Sequence, residues 1–158
     1  MSTSKHVDIL NLLNLSKQLE LALENFYRAC AQCVSSSEGF WLDIAEQEHQ
    51  HAAYIDQIEH CVKAAPDEYR LKTTVFPELI RSTLNDVNSA TQEALSGTST
   101  IIALSSTAEQ FESLMVEYSF YDLLDTENDA YQELVNTIKR ETAEHRVRIR
   151  KHDWTDDL

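Results

Sequence analysis

The segment WLDIAEQEHQHAAYIDQIEHCV, from Trp41 to Val62, repeats its apolar residues at alternating steps of three and four. This spacing predicts an α-helix with one apolar face. Glu48 and His51 lie on that face although both are ionisable. A carboxylate inside a protein is costly unless it is paired or binds a metal ion. The pair therefore predicts a functional site in the interior. The face consists of Trp41, Ile44, Glu48, His51, Ile55, Ile58 and Val62.

The spacing of Glu48 and His51 has a chemical meaning of its own. Residues three apart point the same way from a helix. Glu-x-x-His is also the spacing with which a bundle helix offers a carboxylate and an imidazole to one metal pair. Glu46 and His49 have the same spacing but lie off the apolar face, so we expect them at the surface.

The composition favours long helices. The chain has 158 residues, of which 42% are apolar, enough for one domain with one core, and we treat residues 1–158 as that domain. It contains only two glycines and two prolines. A β-rich fold of this length would need many more turn residues.

Three further long helices follow from similar apolar stripes. One runs from a cap at Thr3 or Ser4 to about Val34, one from about Thr98 to Leu124, and one from about Asn128 to Lys151. Ser35-Ser36-Ser37 is predicted to end the first helix and cap the second. The predicted fold is all-α, a four-helix bundle with a long crossover over about residues 64–100. Part of that crossover is predicted to be a helix starting at Pro77.

Each long helix carries at least one carboxylate beside its apolar stripe. On the first helix Glu20 is preferred to Glu24, whose neighbours Lys17 and Arg28 indicate a solvated face. On the last helix we expect Glu141 to be a ligand and Glu144 to form ion pairs in solvent. The predicted metal ligands are Glu20, Glu48, His51, Glu109, Glu112, Glu141 and His145.

Bridging carboxylates with one imidazole per metal are typical of di-iron and di-manganese bundles. Five carboxylates in one core would also raise each other's pKa values unless cations balance them. We therefore predict two iron ions per chain, with manganese as the alternative. The ligand residues are not expected to act as acids or bases.

These motifs resemble the rubrerythrin branch of the ferritin-like superfamily over nearly the whole chain. The resemblance rests on Glu20 with Tyr27 seven residues later, on Glu48-His49-Gln50-His51-Ala52, on Glu109-Gln110-Phe111-Glu112, and more weakly on Phe76-Pro77. It implies a ferritin-like bundle whose metal pair reacts with hydrogen peroxide or O2, in peroxide detoxification or iron oxidation. The electron donor stays unknown, and an enzyme is one option only.

Two features depart from that family. Its last helix normally carries Glu-x-x-His, whereas Thr142 stands three residues before His145 and Glu141 stands four before. The 158 residues also contain no four-cysteine rubredoxin module, so NADH-linked peroxidase activity is not implied. Iron storage or transport, and a metal-free helical scaffold, are the alternative functions.

The net charge of −14 disfavours nucleic acid and anionic lipid as partners. Neither a signal peptide nor a membrane span is predicted, and three cysteines fit a reducing compartment, so we expect a cytoplasmic protein. We expect it to be a homodimer. Cys30 and Cys33 form a CxxC pattern, but on an apolar helix face they are better explained as packing residues than as a redox pair.

Overall fold

The computed structural model describes the backbone of residues 2–157 and the side chains of residues 4–155. Helical conformation accounts for 82% of the chain, which confirms the all-α prediction. The α-helices are α1 (Ser2–Cys33), α2 (Glu38–Ala64), α3 (Pro77–Leu95), α4 (Ile101–Tyr118) and α5 (Asp129–Lys151). Two short strands, β1 (Arg70–Leu71) and β2 (Leu124–Asp125), pair antiparallel with Leu71 opposite Leu124. None of the described helices is long and apolar enough to cross a membrane.

One apolar core joins all five helices. Helix α1 packs along both α2 and α3, while α5 packs against α4 and α2. Phe26 of α1 meets Phe111 of α4 edge-on, with ring centroids 5.5 Å apart. Helices α1, α2, α4 and α5 each contribute buried side chains to this core, and α3 packs on α1.

The boundary between α1 and α2 is only partly as predicted. Helix α1 already begins at Ser2, so Thr3 and Ser4 lie inside it and the predicted cap there is wrong. A 3₁₀ turn does separate the helices at Ser35–Ser37. Ser37 occupies the capping position, but its hydroxyl donates to the carbonyl of Val34 and accepts nothing from α2.

The helix within the crossover is confirmed and begins at Pro77 as predicted. Proline is well suited to a first helical position, because the N–H that it lacks would have no partner inside the helix. Ile80, Val87 and Ala94 are buried on one side of α3. The Ala94 carbonyl also accepts a hydrogen bond from the Cys33 thiol at 3.0 Å, which ties α3 to the end of α1.

Helix α4 is shorter than predicted. Thr100 caps its start by accepting a hydrogen bond from the Ala103 N–H at 3.2 Å. The helix ends at Tyr118, because Ser119 adopts the left-handed conformation with φ 47°. Tyr118 is consequently 42% exposed and does not belong to the buried face. The loop that follows also contains buried apolar residues, and their presence in the sequence led to the prediction of a longer helix. They are Phe120, Tyr121, Leu123 and Leu124.

Helix α5 has the predicted bounds, with Asn128 as its cap accepting from the Tyr131 N–H at 3.0 Å. Its buried face is rotated slightly from the predicted one, which included Glu141. Thr142 and His145 are buried, whereas Glu141 lies at the edge of that face. This rotation decides which side chains of α5 reach the interior.

The left-handed Ser119 gives a test of how α4 ends. Only glycine adopts this conformation without steric cost, so Ser119→Gly should raise the free energy of unfolding by about 0.5–1 kcal/mol. The same change at exposed Ser106, inside α4, should lower it by about 0.5 kcal/mol. Urea denaturation of both variants measures the difference. Equal destabilisation by both changes would contradict the described helix end.

Candidate metal centre

The carboxylate of Glu48 lies between two buried imidazoles on different helices. Its Oε2 atom is 3.2 Å from Nδ1 of His51, one turn further along α2. Its Oε1 atom is 2.9 Å from Nδ1 of His145 on α5. Each oxygen of one carboxylate therefore faces a different histidine, so Glu48 could contribute one oxygen to each of two metal ions.

Two further glutamates complete two overlapping groups of possible ligands. Glu20 of α1 lies with Glu48 and His51, and its Oε2 is 3.7 Å from His51 Nδ1. Glu112 of α4 lies with Glu48 and His145, and its Oε1 is 3.7 Å from His145 Nδ1. Within each group the ligand atoms lie within 4.8 Å of one another, and every residue is buried. The groups share only Glu48, so they describe two adjacent positions.

The outer nitrogen of each histidine binds a partner from the opposite helix. His51 Nε2 lies 2.8 Å from a carboxylate oxygen of Glu141 on α5. His145 Nε2 lies 2.7 Å from the amide oxygen of Gln47 on α2. These contacts orient both rings with Nδ1 inward, as the supporting partners of metal-binding histidines do. The two rings face each other with centroids 5.6 Å apart.

Glu141 therefore has a different position from the one predicted. Its side chain is 20% exposed and holds His51 rather than joining either ligand group. Glu144 is exposed, whereas Glu141 contacts the cluster through His51.

Glu109, predicted as a ligand, does not join the cluster. It is partly exposed and accepts a hydrogen bond from Arg150. Glu109 and Glu112 are three residues apart, but the buried face of α4 is centred on Ala108, Phe111 and Met115. Only Glu112 of the two is turned inward, so the structure brings Glu112 and not Glu109 into the ligand groups.

Glu24 and the two cysteines of the CxxC pattern lie outside the cluster. Glu24 pairs with Arg28 and His49, each through a contact of 2.9–3.0 Å, outside the cluster. Cys30 is a free thiol in the core, and Cys33 bonds to α3 as described.

One tyrosine supports the cluster. Tyr27 of α1 is fully buried, and its hydroxyl donates a hydrogen bond to Glu112. A tyrosine on a helix face beside these carboxylates could be a core residue or a hydrogen-bond donor to them, and the structure separates the two cases. Tyr27 is the donor, whereas Tyr118 is exposed and stacks on Phe120 with centroids 5.7 Å apart.

The pKa values of four of the five cluster residues are raised. Burial and the neighbouring Glu48 raise the pKa of Glu20 to about 8. Burial likewise raises the pKa of Glu112. Burial alone would lower the pKa of His145, but Glu48 and Glu112 outweigh it and raise that pKa to about 10. Bonds to Glu141, Glu20 and Glu48 raise the pKa of His51 well above its usual value in the same way.

Glu48 is the exception among the buried carboxylates. Burial opposes its charge, but the two imidazoles hold its pKa well below the ordinary value. The buried carboxylates therefore differ: the pKa of Glu48 is lowered, whereas the pKa values of Glu20 and Glu112 are raised. The positive charges of His51 and His145 are what stabilise the ionised form of Glu48.

Several buried polar atoms of the cluster have no aligned hydrogen bond within the described part of the chain. They are both carboxylate oxygens of Glu20, Oε1 of Glu48, Oε2 of Glu112 and Nδ1 of His145. Buried polar atoms are almost always paired, and each exception requires a cause. Oε1 of Glu48 and Nδ1 of His145 form an ion pair of 2.9 Å with each other, but the two Glu20 oxygens and Oε2 of Glu112 have no such close partner among the described residues. All these atoms belong to the two ligand groups, so the residues present fit a pair of cations.

Gln47 was not singled out from the sequence, although a signal was present. Gln47 stands four residues before His51, as Glu141 stands four before His145. Each helix thus carries a histidine and, one turn earlier, the acceptor for the other helix's histidine. The exchange becomes visible only when α2 and α5 are placed side by side.

In comparisons with known proteins, no family model, no curated protein and no solved structure matches the chain. The likeness to rubrerythrins therefore stays a resemblance of motifs.

Metal binding should be strongly linked to pH. Ligands bind as carboxylates and neutral imidazoles, so at pH 7 loading should release about three protons, from Glu20, His51 and His145. The pKa of Glu20 lies at about 8 and that of His145 at about 10, and the pKa of His51 is raised as well, so affinity should rise steeply from pH 6 to pH 8. Calorimetric titration of Mn(II) in buffers of different ionisation enthalpy counts the protons. An affinity independent of pH would contradict the described protonation.

The orienting role of Glu141 has a matched control one turn away. Glu141→Gln removes the charge that supports His51 and should weaken metal binding at least 10-fold. Glu144→Gln removes an exposed charge of the same helix and should leave affinity within about twofold. Competition against a chelator measures both. Equal loss in the two variants would mean that general surface charge, and not the bond to His51, supports binding.

Proposed function

We propose that the chain is a ferritin-like four-helix protein that binds two iron ions at the cluster and reacts with hydrogen peroxide or O2. The observation that carries the proposal is the placement of Glu48, whose two oxygens face His51 and His145. Carboxylates from α1 and α4 and a Glu-x-x-His pair from α2 complete most of the ligand pattern of such bundles.

The donor set favours iron or manganese. Three buried carboxylates and two imidazoles are hard and intermediate donors without a thiolate, which suits these metals better than copper(I) or a structural zinc site. Together with Glu141 the carboxylates carry four negative charges, which two divalent ions balance. Cys30 is a buried free thiol, but it belongs to the apolar core and not to either ligand group.

Each residue has a distinct task in this proposal. Glu48 would bridge the ions, Glu20 and His51 would hold one, and Glu112 and His145 would hold the other. When bound, the ions supply one electron each to peroxide or O2. Tyr27 keeps Glu112 in place through its hydroxyl, and Glu141 and Gln47 hold the imidazoles with Nδ1 inward.

Burial supports the same conclusion. The side chains of Glu20, Glu48 and Glu112 are at most 2% exposed, so water is largely excluded from the cluster. A metal-free scaffold would gain nothing from such carboxylates, because apolar residues in their place are often more stabilising. Thr142 stands where the resemblance would place a second carboxylate, so Glu48 would be the carboxylate that the two positions have in common.

Iron loading tests the proposal directly. Anaerobic Fe(II) loading should give about two ions per chain, and peroxide should then produce the near-ultraviolet absorbance of an oxidised iron pair. Zn(II), which has no redox chemistry, should bind without this absorbance. Glu48→Gln should lose both ions, because both positions share that residue.

Glu109→Gln is the matched control, because Glu109 is partly exposed, binds Arg150 and lies outside the cluster. It should retain about two ions. A count near zero in the unmodified protein would refute the metal pair. Loss of iron in Glu109→Gln but not in Glu48→Gln would place the site elsewhere.

A further inference from the structure

Three aromatic rings form a continuous stack that leads away from the cluster. Tyr27 of α1 stacks on Trp41 of α2, with centroids 5.7 Å apart and planes inclined by 13°. Trp41 stacks in turn on Trp154, which follows α5, at 5.0 Å and 17°. Tyr27 and Trp41 are fully buried, and Trp154 is 9% exposed. We call these three residues the aromatic stack.

The inner end of the stack touches a proposed metal ligand. The Tyr27 hydroxyl donates its hydrogen bond to Glu112, so the tyrosine is separated from the proposed metal position by a single carboxylate. Tyrosine and tryptophan are the side chains that most readily lose one electron. An oxidant formed or bound at the cluster therefore has Tyr27 as its nearest oxidisable neighbour in the stack.

The outer end of the stack reaches the surface. The ring of Trp154 lies against Phe40 and His152, with centroids 5.2 Å and 4.1 Å away. Both neighbours are partly exposed. A molecule that docks here would be separated from Tyr27 by the rings of Trp154 and Trp41. The cluster itself is buried, so such a molecule could not touch it directly.

Packing alone does not explain the choice of residues. The indole N–H of Trp41 is buried and has no hydrogen-bond partner among the described residues. Leaving a buried donor unpaired is unfavourable, and a phenylalanine would fill the same stack without that cost. Trp154, by contrast, donates its N–H to the Ile149 carbonyl at 3.2 Å. An indole at position 41 is favoured where its ease of oxidation matters.

We propose that the aromatic stack is a relay that passes single electrons from a surface donor to the buried cluster. This role rests on the proposed reaction of the metal pair with peroxide. Reduction of one peroxide to two waters takes two electrons and two protons. The relay would deliver the electrons one at a time from a one-electron donor, either a small reductant or a redox protein, docked beside Trp154.

Protons and electrons balance within the relay. Tyr27 gives its electron to the cluster and its phenolic proton to Glu112, to which it is already bonded. Trp41 then reduces the tyrosyl radical, and the proton returns from Glu112 to Tyr27. Trp154 reduces the oxidised Trp41 and is itself reduced by the external donor. Because the Trp41 N–H has no acceptor, that ring only transmits charge, and Tyr27 is where a radical rests.

The relay is tested first in metal-free protein. A soluble ruthenium photo-oxidant with a sacrificial electron acceptor removes electrons from the surface, and freeze-quench electron paramagnetic resonance records the radicals. The part of the tyrosyl signal that disappears in Tyr27→Phe belongs to Tyr27. This part should be present in the unmodified protein, fall at least 10-fold in Trp41→Phe, and fall similarly in Trp154→Phe.

Tyr121→Phe is the matched control. Tyr121 is also buried and feels the charge of Glu20, but it lies outside the stack. Its loss should leave the Tyr27 signal unchanged, and near-ultraviolet circular dichroism should show that every variant is folded. If Trp41→Phe does not fold, Trp154→Phe at the edge of the core decides the matter.

A Tyr27 signal of full size in the tryptophan variants, or none in the unmodified protein, would overturn the relay. The proposed metal pair is tested separately from the relay, because Trp154→Phe should still bind two ions. In iron-loaded protein given peroxide without a reductant, mass spectrometry should find oxidised Trp154, and Trp41→Phe should suppress it. Unchanged oxidation of Trp154 in that variant would mean attack from solution and would contradict the relay.

Discussion

A single buried carboxylate, Glu48, sets the constraint that the surrounding residues satisfy. It stays ionised in the interior because imidazoles from its own helix and from α5 hold its pKa down. Those imidazoles need their own partners, which Glu141 and Gln47 supply from across the interface. Removing any member would leave a buried charge or donor unpaired, which is far more destabilising than the pair is stabilising. The α2–α5 contact is therefore held by polar groups as well as by apolar packing.

The two halves of the cluster are not equivalent. Glu20 has no aligned hydrogen bond, and its histidine is supported by a charged carboxylate. Glu112 accepts from Tyr27, and its histidine is supported by a neutral amide. If the proposed metal pair binds, the α1–α2 side, which has the additional carboxylate Glu141, should hold its cation more firmly than the α4–α5 side. The aromatic stack begins on the weaker side, where the tyrosine meets Glu112.

Helical periodicity was sufficient to predict the all-α class, most helix bounds and the inward direction of Glu20, Glu48, His51, Glu112 and His145. These side chains lie near the centre of their apolar stripes, where a small rotation does not change burial. Glu109 and Glu141 lie at stripe edges, where about 40° of rotation decides between core and solvent. Tertiary packing sets that rotation, so sequence spacing alone could not place them.

Other features depend on contacts between distant segments. The end of α4 at Ser119 was hidden because the following apolar residues are buried by the loop and not by a helix. The capping function of Ser37 failed because its hydroxyl bonds backwards to Val34. The stack of Trp41 on Trp154 joins residues more than a hundred positions apart, and nothing in the local pattern of either indicates the other.

The most direct measurement is anomalous X-ray diffraction from a crystal of the manganese- or iron-loaded protein. The account predicts two metal peaks about 3.5–4 Å apart, as in other two-metal sites. One peak should lie beside Glu20 and His51, the other beside Glu112 and His145, with the carboxylate of Glu48 between them. Peaks confined to surface carboxylates, or an interior free of metal with Glu48 still held by the two imidazoles, would contradict it.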